Sequence, residues 1–143
     1  MKTEDISGYA YQSAEKNHSH NYLLPSVIGI LGEVQKASGC QKRLFEVGCG
    51  NGSVAASLAT GGWSVTGVDP SEQGIQFAQE AYPDIDLNRG SAYDDLAGQY
   101  GQFPAVLSLE VVEHVYDPRR YAATVFSLLE SGGYAVVSTP YHG

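Results

Sequence analysis

Two short segments of this chain carry most of its chemically capable residues. The first is Glu46-Val47-Gly48-Cys49-Gly50-Asn51-Gly52. Three glycines in five residues strip the backbone bare, so amide N–H groups can come close to a ligand. Asp69 follows 21 residues after Gly48. An acidic residue at that distance can accept hydrogen bonds from ribose hydroxyls. Together they point to a nucleoside-containing cofactor. A dinucleotide fingerprint wants Gly-x-Gly-x-x-Gly or Ala. Here the sixth position is Ser53, and the third glycine arrives one residue early, at Gly52. Glu46 would repel a pyrophosphate but suits a cationic amino group. The residues therefore favour a nucleoside joined to an amino acid with a sulfonium charge. An NAD-dependent oxidoreductase is the disfavoured alternative.

The second segment is Glu110-Val111-Val112-Glu113-His114. In a helix, Glu110, Glu113 and His114 would share one face. Two carboxylates and an imidazole could hold a divalent metal such as magnesium. They could instead serve as acid and base near a substrate, or His114 could simply be a hydrogen-bonded structural residue. Cys49 reads as a packing residue, since no base is evident beside it. His18, His20 and His142 are further candidates, although an exposed histidine without a role is the plainer reading for His142.

The elements that must position these residues alternate along the chain. Pro25 suits a first helical residue, and Val27, Ile30, Leu31 and Val34 then mark one helix face. Gly39 is its stop. Leu44–Val47 reads as a buried strand leading into the glycine segment. A helix follows with Val54, Ala55, Leu58 and Ala59 inward, ended by Gly61-Gly62. Strands are expected at 63–68, 85–87, 105–109 and 134–138. A helix with Ile75, Ala78 and Tyr82 lies between the second and third. One capped by Asp117-Pro118, with Tyr121, Val125, Leu128 and Leu129 inward, lies between the last two. This alternation implies an α/β fold: a Rossmann-like, doubly wound, mostly parallel sheet of about five strands in the order 3-2-1-4-5, with helices on both faces. A single domain is expected, with an N-terminal segment and helix over 1–40 and the cofactor-binding part over 41–143.

Composition excludes other classes. Eight Lys+Arg against 16 Asp+Glu give a net charge of −8, which repels nucleic acid phosphates. No apolar run of the ~20 residues that a membrane span needs is present. Two cysteines, Cys40 and Cys49, are too few for a disulfide framework. A cytoplasmic domain is the expectation.

Five segments in order, LFEVGCGNG, VTGVDPS, GSAYDDL, LSLEVVEHV and GGYAVVSTP, resemble the class I S-adenosylmethionine-dependent methyltransferases. The likeness runs from Leu44 to about Pro140. It implies that Glu46, Gly48, Cys49, Gly50 and Gly52 hold the methionine part of the cofactor. It implies Asp69 for the ribose, Pro70 flanking adenine, and Ala92 and Tyr93 capping it. Leu109 and Glu110 would lie along the methionine chain. S-adenosylhomocysteine would be the product. Glu110–Val115 resembles the segment of the ubiquinone-pathway O-methyltransferases that is reported to bind magnesium. It is also similar to the Glu-x-x-Glu-His set of small-RNA 2′-O-methyltransferases, which the acidic charge disfavours. The resemblance implies methylation of a small molecule on oxygen, with a phenol or quinol as the favoured acceptor. The alternative is a catalytically incomplete cofactor-binding module. Residues Tyr9 to Tyr22 are a candidate lid. The family normally adds a helix and two strands after the fifth strand, which this chain lacks. The fifth strand would then be an exposed edge, able to pair with a second copy in a homodimer.

Overall fold

Four consecutive buried residues, Leu44 to Val47, end the first strand, β1 (Arg43–Val47). A strand buried on both faces belongs in the middle of a sheet. In the computed structural model, which describes residues 22–140, β1 sits there. It pairs in parallel with β2 (Ser64–Asp69) on one side and β4 (Phe103–Leu109) on the other. β3 (Asp86–Arg89) flanks β2, and β5 (Leu129–Ser138) flanks β4, again in parallel. The order β3-β2-β1-β4-β5 is the one the alternating elements imply.

Side chains alternate across β1. Leu44 enters one core with Val27 and Leu31 of helix α1 (residues 22–38). Val54, Ala55 and Leu58 of α2 (Ser53–Thr60) join that core, as do Ile75 and Ala78 of α3 (Glu72–Ala81). Phe45 and Val47 enter the opposite core. There they meet Leu96 of α4 (Leu96–Tyr100) and Tyr121, Val125 and Leu128 of α5 (Pro118–Leu128). Phe45 is fully buried and packs its ring 5.3 Å from those of Tyr100 and Phe103. A side chain of that size is worth about 1.5–3 kcal/mol when buried.

Several local expectations need correction. Residues 22–24 are already helical, so Pro25 is not the first helical residue of α1. Ile30 is 45% exposed, since the buried face runs through Val27 and Leu31. Tyr82 and Leu129 fall just outside their helices, as the C-cap of α3 and the start of β5. Helix α4 was not anticipated; Asp95 caps it by accepting from the Gly98 N–H at 3.0 Å. β5 starts at Leu129, five residues before Tyr134, because a register shift lets it pair across Gly132-Gly133.

All five strands run the same way, so the segments after β1, β2, β3 and β4 emerge at one edge of the sheet. The order reverses between β1 and β4. In open α/β sheets that reversal opens a crevice for ligands. No helix among the described residues is long and apolar enough to cross a membrane. Residues Tyr9 to Asn21 of the candidate lid, with His18, His20 and His142, lie outside the described residues; Tyr22 is 85% exposed.

Candidate functional site

The glycine segment leaves β1 and folds back against β2. Gly48 and Cys49 both donate their N–H groups to the Val68 carbonyl, at 2.8 and 3.0 Å. Gly48 has φ +88°, and a side chain there would run into Val111 Cγ2. Gly52 has φ +85°, and a Cβ would lie 2.8 Å from Leu87 Cδ1. Packing within the protein thus demands both glycines. At Gly50, by contrast, no atom of the other described residues beyond its chain neighbours lies within 4 Å of where a Cβ would be.

Asp69 ends β2 and is 2% exposed. Its Oδ2 accepts from the Gly50 N–H and its Oδ1 from the Ser71 N–H, both at 2.9 Å. One carboxylate therefore fixes the glycine turn and the entry to α3. Pro70, the next residue, is exposed.

Glu46 is the most unusual residue of the site. It is 1% exposed, and neither carboxylate oxygen has a hydrogen-bond partner among the described residues. Burial, reinforced by the nearby Asp69 charge, pushes its pKa up from 4.5 to about 8. A buried carboxylate without a partner is costly, and a cationic ligand group would satisfy it. Cys49 beside it is 4% exposed. Burial, then the charges of Glu46 and Asp69, push its thiol far up, so it is no thiolate nucleophile.

The expected helical face at Glu110–His114 does not form. Leu109, 1% exposed, ends β4, and Glu110 then turns with φ +60°. That left-handed conformation costs a non-glycine residue about 1–3 kcal/mol and clusters at functional sites. The Glu110 N–H donates to the Ser138 carbonyl at 2.9 Å. Only Val112–His114 is helical, as one 3₁₀ turn. His114 Nε2 lies 3.5 Å from Glu113 Oε2, and His114 is largely exposed. Among the described residues no group of three His, Cys, Asp or Glu could hold a metal ion. The magnesium site expected at Glu110, Glu113 and His114 is therefore not built by this geometry: a turn at Glu110 replaces the helix that would have aligned the three.

Ala92 and Tyr93 follow β3 and pack on the core shared with Val111, Val112 and Val115. The Tyr93 hydroxyl accepts from the N–H groups of Tyr116 and Asp117, at 2.9 and 3.1 Å. The chain thus gathers the segments after four strands around one crevice. Sequence reasoning missed Val111, whose fit against Gly48 no motif announces. It also missed Ser108, fully buried, which donates to the Val47 carbonyl at 2.9 Å. A hydroxyl within an apolar strand was the available signal. A surface concavity of about 620 Å³, lined by Gln102, Phe126 and Glu130, lies at the opposite edge of the sheet and is unrelated to this crevice.

Known proteins share this fold. Residues 17–142 match the methyltransferase domain family model. The ubiquinone biosynthesis O-methyltransferase of Caulobacter sp. strain K31 is 40% identical over 101 residues, covering 68% of this chain and 40% of that protein. The enzyme of the same name from Chromobacterium violaceum is 38% identical over 108 residues, covering 72% and 46%. The chain thus spans less than half the length of these curated relatives. Among solved structures, an S-adenosylmethionine-dependent methyltransferase from Mesorhizobium loti aligns with TM-score 0.60 and 30% identity, covering 69% of this chain and 47% of that one. The amino pentose methyltransferase CalS10 from Micromonospora echinaspora shares the fold, with TM-score 0.72 and 23% identity over 92% of this chain and 56% of that one. With its family model spanning most of its residues and its sheet in the same order, this chain belongs to the methyltransferase-domain family.

Proposed function

We propose that the domain binds S-adenosylmethionine and serves methyl transfer to a small molecule, on oxygen. The observation that carries this reading is Glu46: a fully buried carboxyl at the glycine segment with neither oxygen partnered among the described residues. An α-ammonium group fits it, and a pyrophosphate does not. When bound, S-adenosylmethionine supplies an electrophilic methyl on its sulfonium. Glu46 would hold the amino group, while Gly48, Cys49, Gly50 and Gly52 present the bare backbone of the turn. Asp69 would accept from the ribose, and Pro70, Ala92 and Tyr93 would enclose adenine. Leu109 and Glu110 would line the path towards the acceptor. Catalysis would rest mainly on alignment. Glu113 would hold the His114 ring through Nε2, leaving Nδ1 to take a proton from an acceptor hydroxyl.

The relatives named for ubiquinone biosynthesis support an O-methylated small acceptor. A second reading, a cofactor-binding module without turnover, is supported by the absence of the helical face that would have aligned Glu110, Glu113 and His114. The net charge of −8 supports an acceptor other than nucleic acid. The two free cysteines support a reducing, cytoplasmic location.

Calorimetry with S-adenosylmethionine and with NAD tests the reading. S-adenosylmethionine should bind and NAD should not; a preference for NAD would overturn it. Turnover on a panel of phenols and catechols then separates enzyme from binding module, and His114→Ala should lower kcat more than it raises KM.

A further inference from the structure

The rim of the crevice is joined by hydrogen bonds that pass from one loop to the next. The Gly50 N–H donates to the Asp69 side chain, and the Gly90 N–H donates to the Asp69 carbonyl at 3.1 Å. Gly90 opens the turn 90–95, which is tied internally. The Tyr93 N–H donates to Ser91 Oγ at 3.0 Å, and the Ser91 N–H to Asp94 Oδ2 at 2.9 Å. From this turn the Tyr93 hydroxyl reaches across to two successive amides, Tyr116 and Asp117. Its ring meets Tyr116 edge-on at 4.8 Å and lies under the Arg120 guanidinium at 4.7 Å. Tyr116 is 80% exposed, so its own burial does little to place it. One phenol oxygen therefore holds the far end of the segment that carries Glu113 and His114.

We propose that Tyr93 is a positioning residue that couples the two sides of the crevice. Filling the cofactor side stiffens the turn 90–95. The Tyr93 hydroxyl passes that order to Tyr116 and Asp117, and so fixes the 3₁₀ turn of Glu113 and His114. The proposal rests on the cofactor reading above, since it needs a ligand against the turn 90–95. Contact alone does not establish coupling; a change at one side must alter the other.

Backbone amide exchange, read by NMR with and without saturating S-adenosylhomocysteine, makes the test. Saturation is verified by calorimetry for each protein. In the unaltered chain, ligand should slow exchange at Tyr116 and Asp117 about fivefold or more, the scale of one net hydrogen bond. Tyr93→Phe keeps the ring and removes the acceptor. In it, saturating ligand should change those two amides by less than about twofold. Faster exchange without ligand would follow from any structural tether; loss of the ligand-dependent part is specific to coupling. Equal slowing in Tyr93→Phe would overturn the proposal, as would unchanged exchange in the loaded, unaltered chain. That last comparison decides the matter even if the variant does not fold. No binding heat in the unaltered chain would overturn the cofactor reading and this proposal with it, an outcome distinct from binding without slowing.

Discussion

The space that a Gly48 side chain would occupy is filled by the Val111 side chain. This contact locks the glycine turn after β1 to the turn after β4, the two segments that the sequence marks as chemically capable. Gly48→Ala adds both a clash and a left-handed alanine. It should lower stability by about 2–4 kcal/mol, combining backbone strain with overpacking. Val111→Ala in the same chain should recover the packing part and leave the strain, about 1–2 kcal/mol. Urea unfolding of the two single variants and the double variant measures that coupling.

Glu46 makes stability depend on pH. Its folded pKa, about 8, lies above its ordinary value of 4.5. The folded state therefore holds the proton more tightly, and the contribution is fully present below pH 4.5. It is lost as pH rises through about 8. Over that window the loss is of the order of 3–5 kcal/mol. Glu46→Gln should remove this slope and be the more stable protein at pH 9. Parallel unfolding curves for the two proteins from pH 5 to 9 would refute it.

The same carboxyl must ionise to meet an ammonium group. Cofactor binding should then release a proton, and affinity should rise up to about tenfold from pH 6 to 7. Calorimetry in buffers of different ionisation enthalpy reads the proton directly. Binding that releases none would mean that Glu46 stays protonated in the complex.

Asp69→Ala removes the acceptor of two backbone amides. With charge-assisted bonds worth about 1.5–3 kcal/mol each, stability should fall by about 2–4 kcal/mol after solvent partly replaces them. Cofactor affinity should weaken by about 1–3 kcal/mol if the ribose also uses this carboxylate. Thermal unfolding and calorimetry separate the two effects, and unchanged affinity would place the ribose elsewhere.

Among the described residues β5 is an edge of the sheet, with Tyr134 and Val137 41% and 45% exposed. We expect it to pair with a second copy, and light scattering should show mass rising with concentration. Val137→Lys should suppress that association. A monomer at all concentrations would count against it.

Much of this arrangement was legible in the residues. The run Leu44–Val47 read as a buried strand, and the alternation of strands and helices implied a doubly wound parallel sheet. The glycine segment and Asp69 came together because parallel strands bring their ends to one edge. The turn at Glu110 was not legible. Its spacing to Glu113 and His114 is helical, but β4 stays extended through Leu109, and the Ser138 carbonyl captures the next amide. Helix α4 is a single short turn, too brief for any periodicity to register. Val111 was hidden for another reason: a valine among valines does not show which glycine it will fill.

Glu46 also bears on how long such a protein would last. A buried acid with no partner among the described residues costs the fold stability, and a ligand that supplies its counter-charge acts as a further piece of the core. Binding that satisfies it stabilises the native state in proportion to RT ln(1 + [L]/Kd), about 2.7 kcal/mol at a hundredfold excess over Kd. The domain's resistance to proteolysis would then track the supply of its cofactor, making turnover of the protein a readout of metabolite level.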